Sequence, residues 1–282
     1  YEIFDDELRA RVAQRREVET ALRRIIEADR VALQYQPIID VPTGAVFAFE
    51  ALPRWDDEVL AAIPARELLS IVEETGLAVS IGRSVIDRVC AQLAAWQREF
   101  GDDAPGISVD VSRRLLSHPL LLDDTRAALD RWGATSGSVT FEITESVLMH
   151  DAEAISRLEE LRAFGVRVTI DDFGSGYSSL AHLRRLPVDA IKIDPTFVIG
   201  LGLDRDGSTI VAAVINLAHA LGMDTIAEGV ENIEHVAALV TLGCDRMQGR
   251  YFSAPVDAVE ATELLRRPDR QEVEESPSNS TT

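Results

Sequence analysis

Cysteine is scarce in this chain of 282 residues: only Cys90 and Cys244 occur, without metal-ligand or redox spacing. That excludes a disulfide framework and a thiolate metal centre. Basic residues are outnumbered, 28 Lys and Arg against 48 Asp and Glu, which leaves a net charge of −20. A groove for a nucleic-acid polymer relies on a Lys/Arg surface that releases counterions, so no such polymer is expected as a partner. Long apolar runs are missing too. The nearest, Ile210 to Met223, is short and carries Asn216 and His219, and it reads as a core-facing helix. Neither a GxGxxG dinucleotide fingerprint nor a GxxxxGK[ST] phosphate loop occurs. The chain starts at Tyr1 and shows no signal-peptide pattern, so the expectation is a cytoplasmic domain cut from a longer protein, whose other parts are free to carry a membrane anchor.

What is present is 46% apolar residues, enough for one large core. Asp6 to Arg30 is charge-rich, with Leu8, Val12, Val18, Leu22 and Ile25 near one helical stripe, and residues 1–29 read as a linker helix. Val31 to Ile39 and Ala45 to Glu50 are strand-like and joined by Asp40-Val41-Pro42-Thr43-Gly44, too short for a helical crossover. They are expected to form an antiparallel hairpin with Gln36 roughly opposite Glu50. Helical and strand patterns then alternate: helices at Ala65–Glu74 and Gly82–Phe100, strand Ile107–Val111, helix Leu121–Trp132, strand Ser138–Thr144, helix Ala152–Phe164, strand Val166–Ile170. The alternation continues through helix Ser178–Leu183, strand Ala190–Ile193, helix Ser208–Leu221, strand Thr225–Ala227, helix Ile233–Leu242, a short strand near Met247–Tyr251 and helix Ala258–Arg266. Such alternation implies a parallel sheet, and eight strands at this length favour an α/β fold of the (β/α)8 TIM-like barrel type with one antiparallel strand, spanning residues 30–267. Residues 268–282, rich in Glu, Ser and Pro, are expected to be a disordered tail.

Polar residues stand at the end of every predicted strand: Gln36, Glu50, Asp110, Glu142, Asp171 with Asp172, Lys192, Glu228 and Gln248. In a closed barrel the C-terminal strand ends converge on one mouth, and the reversed first strand reaches it with its earlier half. A single strand-end acid usually caps a helix or faces water. Six carboxylates in one ring repel strongly unless several are protonated or cations lie between them. All-carboxylate ligation without a histidine cluster selects hard cations, Mg²⁺ or Mn²⁺, with Ca²⁺ competing as an expected inhibitor. The five histidines fall mostly in predicted helices and loops, which argues against zinc. Two such ions about 3.5–4 Å apart, bridged by a carboxylate such as Asp171, suit phosphate-ester hydrolysis. Lys192 has two open readings, holding the attacking water or forming a salt bridge to Asp172 or Asp194. Arg54 likewise either grips a substrate phosphate or makes a surface salt bridge.

These residues carry a family resemblance. YQP at Tyr35–Pro37, EALPRW at Glu50–Trp55, then FEITES, DDFGSGYSSL, KID, AEGVE and QGRYFSAP downstream resemble the EAL domains, cyclic di-GMP phosphodiesterases, over roughly residues 30–267. The resemblance implies the same barrel with one antiparallel strand. It also implies that Glu50, Glu142, Asp171, Asp172 and Glu228 bind two Mg²⁺ or Mn²⁺ ions. Lys192 then positions the hydrolytic water, with Glu50 and Glu228 in the catalytic set, while Gln36, Arg54 and Gln248 contact substrate. Glu145 and Glu231 match supporting positions, Glu145 bracing the loop Asp172 to Gly176, in which Gly174, Ser175 and Gly176 form a hinge. The implied reaction is in-line attack of metal-activated water on one phosphodiester of cyclic di-GMP, opening it to linear pGpG. The amino end resembles the junction left by a GGDEF (diguanylate cyclase-like) domain, and family analogy suggests a homodimer and upstream sensory domains.

One departure stands out. The family pattern VNxS at the third strand reads Val109-Asp110-Val111-Ser112, so Asp110 keeps an oxygen ligand and adds a negative charge. It is expected to bind metal still and to lower turnover, unless the exchange is benign. Two rival readings follow: a catalytically weak module that senses cyclic di-GMP, and an unrelated metal-dependent barrel acting on a carbon acid.

Overall fold

The computed structural model describes residues 2–28, 30–63, 65–148, 152–174, 183–201 and 205–266. Eight strands close into a barrel in chain order: β1 (Ala32–Asp40), β2 (Val46–Arg54), β3 (Gly106–Asp110), β4 (Val139–Thr144), β5 (Arg167–Phe173), β6 (Ala190–Ile193), β7 (Asp224–Ala227) and β8 (Arg246–Gln248). Strand β1 is antiparallel to both its neighbours, β2 and β8, and the other pairings are parallel. The expected α/β barrel with one antiparallel strand is therefore the fold observed. The hairpin has the expected register, with Gln36 opposite Glu50. Its turn is held by Asp40, whose carboxylate accepts from the Thr43 amide and hydroxyl, and by Gly44 at φ +69°.

Side chains alternate across each strand, so every second residue faces the helices. Phe49, Ile107, Val109, Phe141, Ile143, Val168, Ile170, Ile191 and Ile193 belong to that outward set, all buried in the main core under the helices. The alternate set fills the barrel. Ile38, Ala48, Ala190 and Ile226 form a small apolar cluster of their own. Two residues further toward the mouth come Gln36, Glu50, Lys192 and Glu228, joined by Ser108, Glu142, Thr169 and Gln248. Most of this upper layer is buried although it is polar. The same pleat thus supplies an apolar floor and a polar mouth, the arrangement on which TIM-like barrels place their chemistry.

Behind the hairpin, Trp96 stacks edgewise on Tyr35 and lies 5.0 Å from Phe49 between ring centroids, with its indole N–H donating to Thr262 Oγ1 at 2.9 Å. This ring cluster fixes the two strands that carry Gln36 and Glu50. Trp96 lies on the Ala78–Phe100 helix, which starts a turn earlier than sequence pattern suggests because Gly82 sits inside it. A Cβ on Gly82 would stand 2.3 Å from Leu115 Cδ2, so the glycine there permits close packing and does not mark a helix start. The Glu2–Glu27 helix buries Val18, Ala21, Leu22 and Ile25 in the core and is tied by Arg24 to Asp57 at 2.9 Å and by Arg15 to Glu74 at 2.5 Å. The Leu8 and Val12 side chains, residues 178–182 of the predicted helix Ser178–Leu183 and the tail 268–282 lie outside the described residues. No helix among the described residues is long and apolar enough to cross a membrane.

Candidate functional site

Lys192 is the centre of the mouth. Its strand, Ala190–Ile193, is buried along its whole length, so a lysine there can survive only if carboxylates meet it. Nζ lies 2.5 Å from Glu142 Oε2, 3.1 Å from Glu50 Oε2 and 3.5 Å from Asp171 Oδ1, and it contacts Glu228 Oε1 as well. These partners come from four other strands or strand ends around the ring, which corrects the sequence-neighbour reading for Asp194. Asp194 caps the following helix, accepting from the Thr196 amide at 2.7 Å and from its hydroxyl. Gln248 Nε2 donates to Glu50 Oε2 at 2.6 Å and to Gln36 Oε1 at 3.1 Å, and Gln36 Nε2 donates to the Ser253 carbonyl. An amide relay therefore holds Glu50 from the outer side while Lys192 holds it from the inner one.

Asp171 and Asp172 present a geometric puzzle, because adjacent strand residues should point to opposite faces. The register between β5 and β6 jumps from Ile170↔Ile191 to Phe173↔Ile193, inserting one extra residue on β5. This is a β-bulge, and Asp172 takes φ 53°, the only left-handed non-glycine among the described residues. The bulge lets both carboxylates join Glu228, with one ligand atom from each lying within 4.8 Å of the others. Asp is among the residues that tolerate such a φ. Gly174 follows at φ +99°, where a Cβ would stand 2.6 Å from the Phe197 ring, and its amide donates to Glu145 Oε2 at 3.2 Å. That hydrogen bond ties Glu145 to the second residue after Asp172. Ser175 and Gly176 lie outside the described residues.

A second trio, Glu50, Asp110 and Glu142, meets the same 4.8 Å condition. Its register explains the meeting: Asp110 pairs with Glu142 on β4, and Glu50 pairs with Ser108 on β3. Across the two trios, Glu142 Oε1 and Asp171 Oδ1 are buried without a hydrogen-bond partner. Glu142 Oε1 has no donor and Asp171 Oδ1 has only the Lys192 ammonium at 3.5 Å, and buried anionic oxygens so poorly satisfied fit hard divalent cations, which take oxygen ligands.

The electrostatics point the same way. Burial, reinforced by neighbouring acids, pushes Glu142 well above the usual carboxylate range and Glu228 up to about 7, against the pull of Lys192. Asp110 moves upward too, from crowding by protein and the charge of Glu50, although its surface is open to the mouth and water there moderates the rise. Burial acts to lower Lys192, but Glu142, Glu228, Glu50 and Asp171 together outweigh it and keep the ammonium charged. In the metal-free protein the folded chain therefore holds protons that the unfolded chain releases. The stability these carboxyls contribute is complete below about pH 4.5 and is lost as pH rises through about 7, the two values set by Glu228. The melting temperature in EDTA is expected to fall between pH 5 and pH 8, and millimolar Mg²⁺ should remove most of that fall. A flat EDTA profile would contradict this picture of the ring.

The remaining predicted residues are placed as follows. Gln36, Glu50, Asp171, Lys192, Glu228 and Gln248 line one cavity of about 400 Å³, and Glu231 stands on its rim. Arg54 lies further out on β2, with Nε donating to Gln34 Oε1 at 2.6 Å and Nη1 to the Pro53 carbonyl at 3.1 Å. Sequence reasoning passed over Ser108, whose buried Oγ lacks a partner, and Arg250, which lines the cavity. It also passed over Gly249, whose Cβ would fall 2.1 Å from the Val230 carbonyl oxygen, so that only glycine lets the loop after β8 meet the loop after β7. The signal for the bulge was present, since two adjacent polar residues cannot both continue a strand's alternation.

Comparison with known proteins follows the same lines. The family model for the EAL domain matches residues 19–255. The bifunctional diguanylate cyclase/cyclic di-GMP phosphodiesterase MucR of Pseudomonas aeruginosa is 37% identical over 92% of this chain and 38% of its own length. The cyclic di-GMP phosphodiesterase PdeR of Escherichia coli is 36% identical over 91% of this chain and 39% of its own. The chain thus spans less than half the length of these curated relatives. Among solved structures, the PaMucR phosphodiesterase in complex with c-di-GMP aligns with a TM-score of 0.81 at 37% identity, covering 87% of this chain and 99% of that one.

Proposed function

The chain belongs to the EAL domain family, and from that premise we propose that it hydrolyses cyclic di-GMP, cutting one phosphodiester to give linear pGpG. The observation that carries the proposal is the pair of acid trios gathered around one fourfold-shared lysine, with carboxylate oxygens left unpartnered inside the mouth. On this reading Glu50, Asp110 and Glu142 hold one Mg²⁺ or Mn²⁺, and Asp171, Asp172 and Glu228 hold the other. Bound there, the ions would neutralise the phosphodiester and lower the pKa of a water. Ca²⁺ takes longer and more numerous oxygen contacts and is proposed as an inhibitor.

The chain's own groups do the rest. Lys192 keeps its proton and donates toward the attacking water while screening charge that develops on the phosphate. The water oxygen bonds to phosphorus, the bond to the ribose 3′ oxygen breaks, and the water's proton passes to an acid of the ring. Glu228 and Glu50, on either side of Lys192, are the proposed acceptors, and the leaving 3′ oxygen takes a proton from solvent. Gln36 and Gln248 orient Glu50 and offer amides to the substrate. Arg54, released from Gln34, grips a phosphate. Glu145, through the Gly174 amide, sets the stretch that carries Asp172, and Glu231 supports the rim. An upstream GGDEF domain joined through the 1–29 helix, upstream sensory domains and a second copy of the chain are the proposed partners. The barrel is proposed as residues 30–267 and the 268–282 tail as a separate segment.

Asp110 favours a second reading, a cyclic di-GMP sensor with weak turnover, because it adds a negative charge where the family pattern has asparagine. A like charge a few ångströms away costs about 1 kcal/mol or more, so Asp110→Asn is expected to raise turnover about fivefold and also to raise the metal-free melting temperature. Equal rates in Mg²⁺ and in Mn²⁺ would leave the extra charge without consequence. Product analysis after incubation with cyclic di-GMP separates the readings. Linear pGpG supports the phosphodiesterase, tight binding without product supports the sensor, and neither binding nor product would overturn both; membership of the EAL family already sets aside the unrelated carbon-acid barrel.

A further inference from the structure

We propose that Arg250 is a substrate-binding residue that grips the phosphodiester of cyclic di-GMP which is not being cut. This rests on the cyclic di-GMP reading above. The mouth must receive a ligand with two phosphodiesters. The phosphate under attack is served by the acid trios and Lys192, but the other has to sit over a rim that includes Glu231, in a chain of net charge −20. Lys192 cannot reach out to it, being almost wholly buried and committed to Glu50, Glu142, Asp171 and Glu228. Arg54, which on the reading above grips the phosphate under attack once released from Gln34 and the Pro53 carbonyl, lies outside the cavity lining and is not left over for the second one.

Arg250 differs from both. Among the described residues it is the only other cation lining this cavity, and among them its guanidinium has no hydrogen bond or ion pair, although Glu231 lines the same cavity. Its backbone, by contrast, is fixed. The Val230 amide donates to the Gln248 carbonyl at 3.0 Å, the Tyr251 amide donates to the Val230 carbonyl at 3.0 Å, and the Phe252 and Ser253 amides both donate to the Gly249 carbonyl. Gly249 meets the Val230 backbone so closely that no side chain fits between them. A free guanidinium on a pinned turn, next to the Gln248 that holds Glu50, is preorganised for an anion arriving at the mouth. Its planar fork matches phosphate oxygens. The second phosphate's contact persists unchanged through the reaction, so losing it should weaken ground state and transition state alike.

The test uses two substrates. Cyclic di-GMP carries a second phosphodiester, whereas bis(p-nitrophenyl) phosphate carries only the one to be cut. Arg250→Ala is expected to raise KM for cyclic di-GMP by about 10- to 100-fold with kcat nearly unchanged, to leave kcat/KM for bis(p-nitrophenyl) phosphate as in the wild type, and to be partly rescued by Arg250→Lys. Binding of cyclic di-GMP in Ca²⁺, measured by calorimetry, should weaken in parallel, and this arm reads Arg250 even if the wild type binds without turning over. An unchanged KM and Kd in Arg250→Ala would overturn the assignment, as would an equal loss on both substrates. A wild type that neither binds nor cuts cyclic di-GMP would bring down the underlying reading together with it.

Discussion

Lys192→Met is expected to lower turnover at least ~10³-fold, the range lost when a group aimed at developing charge is removed, while leaving the protein able to bind divalent cations. The expectation follows from the ring's arithmetic of charge. One buried ammonium stands among Glu50, Glu142, Asp171 and Glu228, and a methionine of similar length fills its space without a charge. Removing one partner from a buried ionic cluster costs about 3–5 kcal/mol, which for a chain of this size is roughly 6–20 °C in melting temperature. In EDTA the drop should be larger at pH 8 than at pH 5, because the orphaned acids escape the penalty by taking protons. Saturating Mg²⁺ or Mn²⁺ should restore most of the stability and none of the turnover. A variant that keeps wild-type activity would remove Lys192 from the chemistry. One that loses activity without any loss of metal-free stability would mean that the four contacts do not neutralise one another.

The second large effect is expected for Asp171→Asn. Asp171, like Glu228, belongs to both parts of the site: it lies 3.5 Å from Lys192 and shares the trio with Asp172 and Glu228. Its Oδ1 is buried without a hydrogen bond, and the chain meets it only with the shared Lys192 ammonium at 3.5 Å. Asparagine keeps the shape and withdraws the charge. Changes to groups that merely support a ligand already cost about 10–100-fold in metal affinity, so a direct ligand should cost at least ~100-fold. Titrating Mg²⁺ or Mn²⁺ against melting temperature measures this without any substrate. In the metal-free state the same substitution should stabilise, since it takes one negative charge out of a crowded ring. Unchanged metal affinity would place the cations elsewhere.

Much of this site was legible in the sequence because barrels obey simple rules. A turn of Asp40 to Gly44 between two strand-like runs dictates a hairpin, and counting back from it sets Gln36 against Glu50. Parallel strands deliver their last polar residues to one mouth, which is why Glu142, Lys192 and Glu228 group together from strand ends alone. What local pattern could not supply was the third dimension of the pairing. The bulge at Asp171–Asp172 appears only when β5 is aligned with β6, and the four partners of Lys192 are separated from it by as many as 142 residues. Arg250 left no periodic trace because it sits in the loop after β8, where neither strand nor helix spacing applies. Gly82 misled for a related reason: a glycine in sequence signals a break, but here it signals that Leu115 lies against the helix.

The central claim is that the mouth around Lys192 is a two-cation centre for cyclic di-GMP. A crystal structure of the protein with cyclic di-GMP and Mg²⁺, at a pH where turnover is slow, tests it most directly, since ions can be counted and their ligands named. The account predicts two cations, one against Glu50, Asp110 and Glu142 and one against Asp171, Asp172 and Glu228, with the scissile phosphate between them. Cyclic di-GMP bound over a ring that holds no cation, with every carboxylate still turned to Lys192, would contradict it.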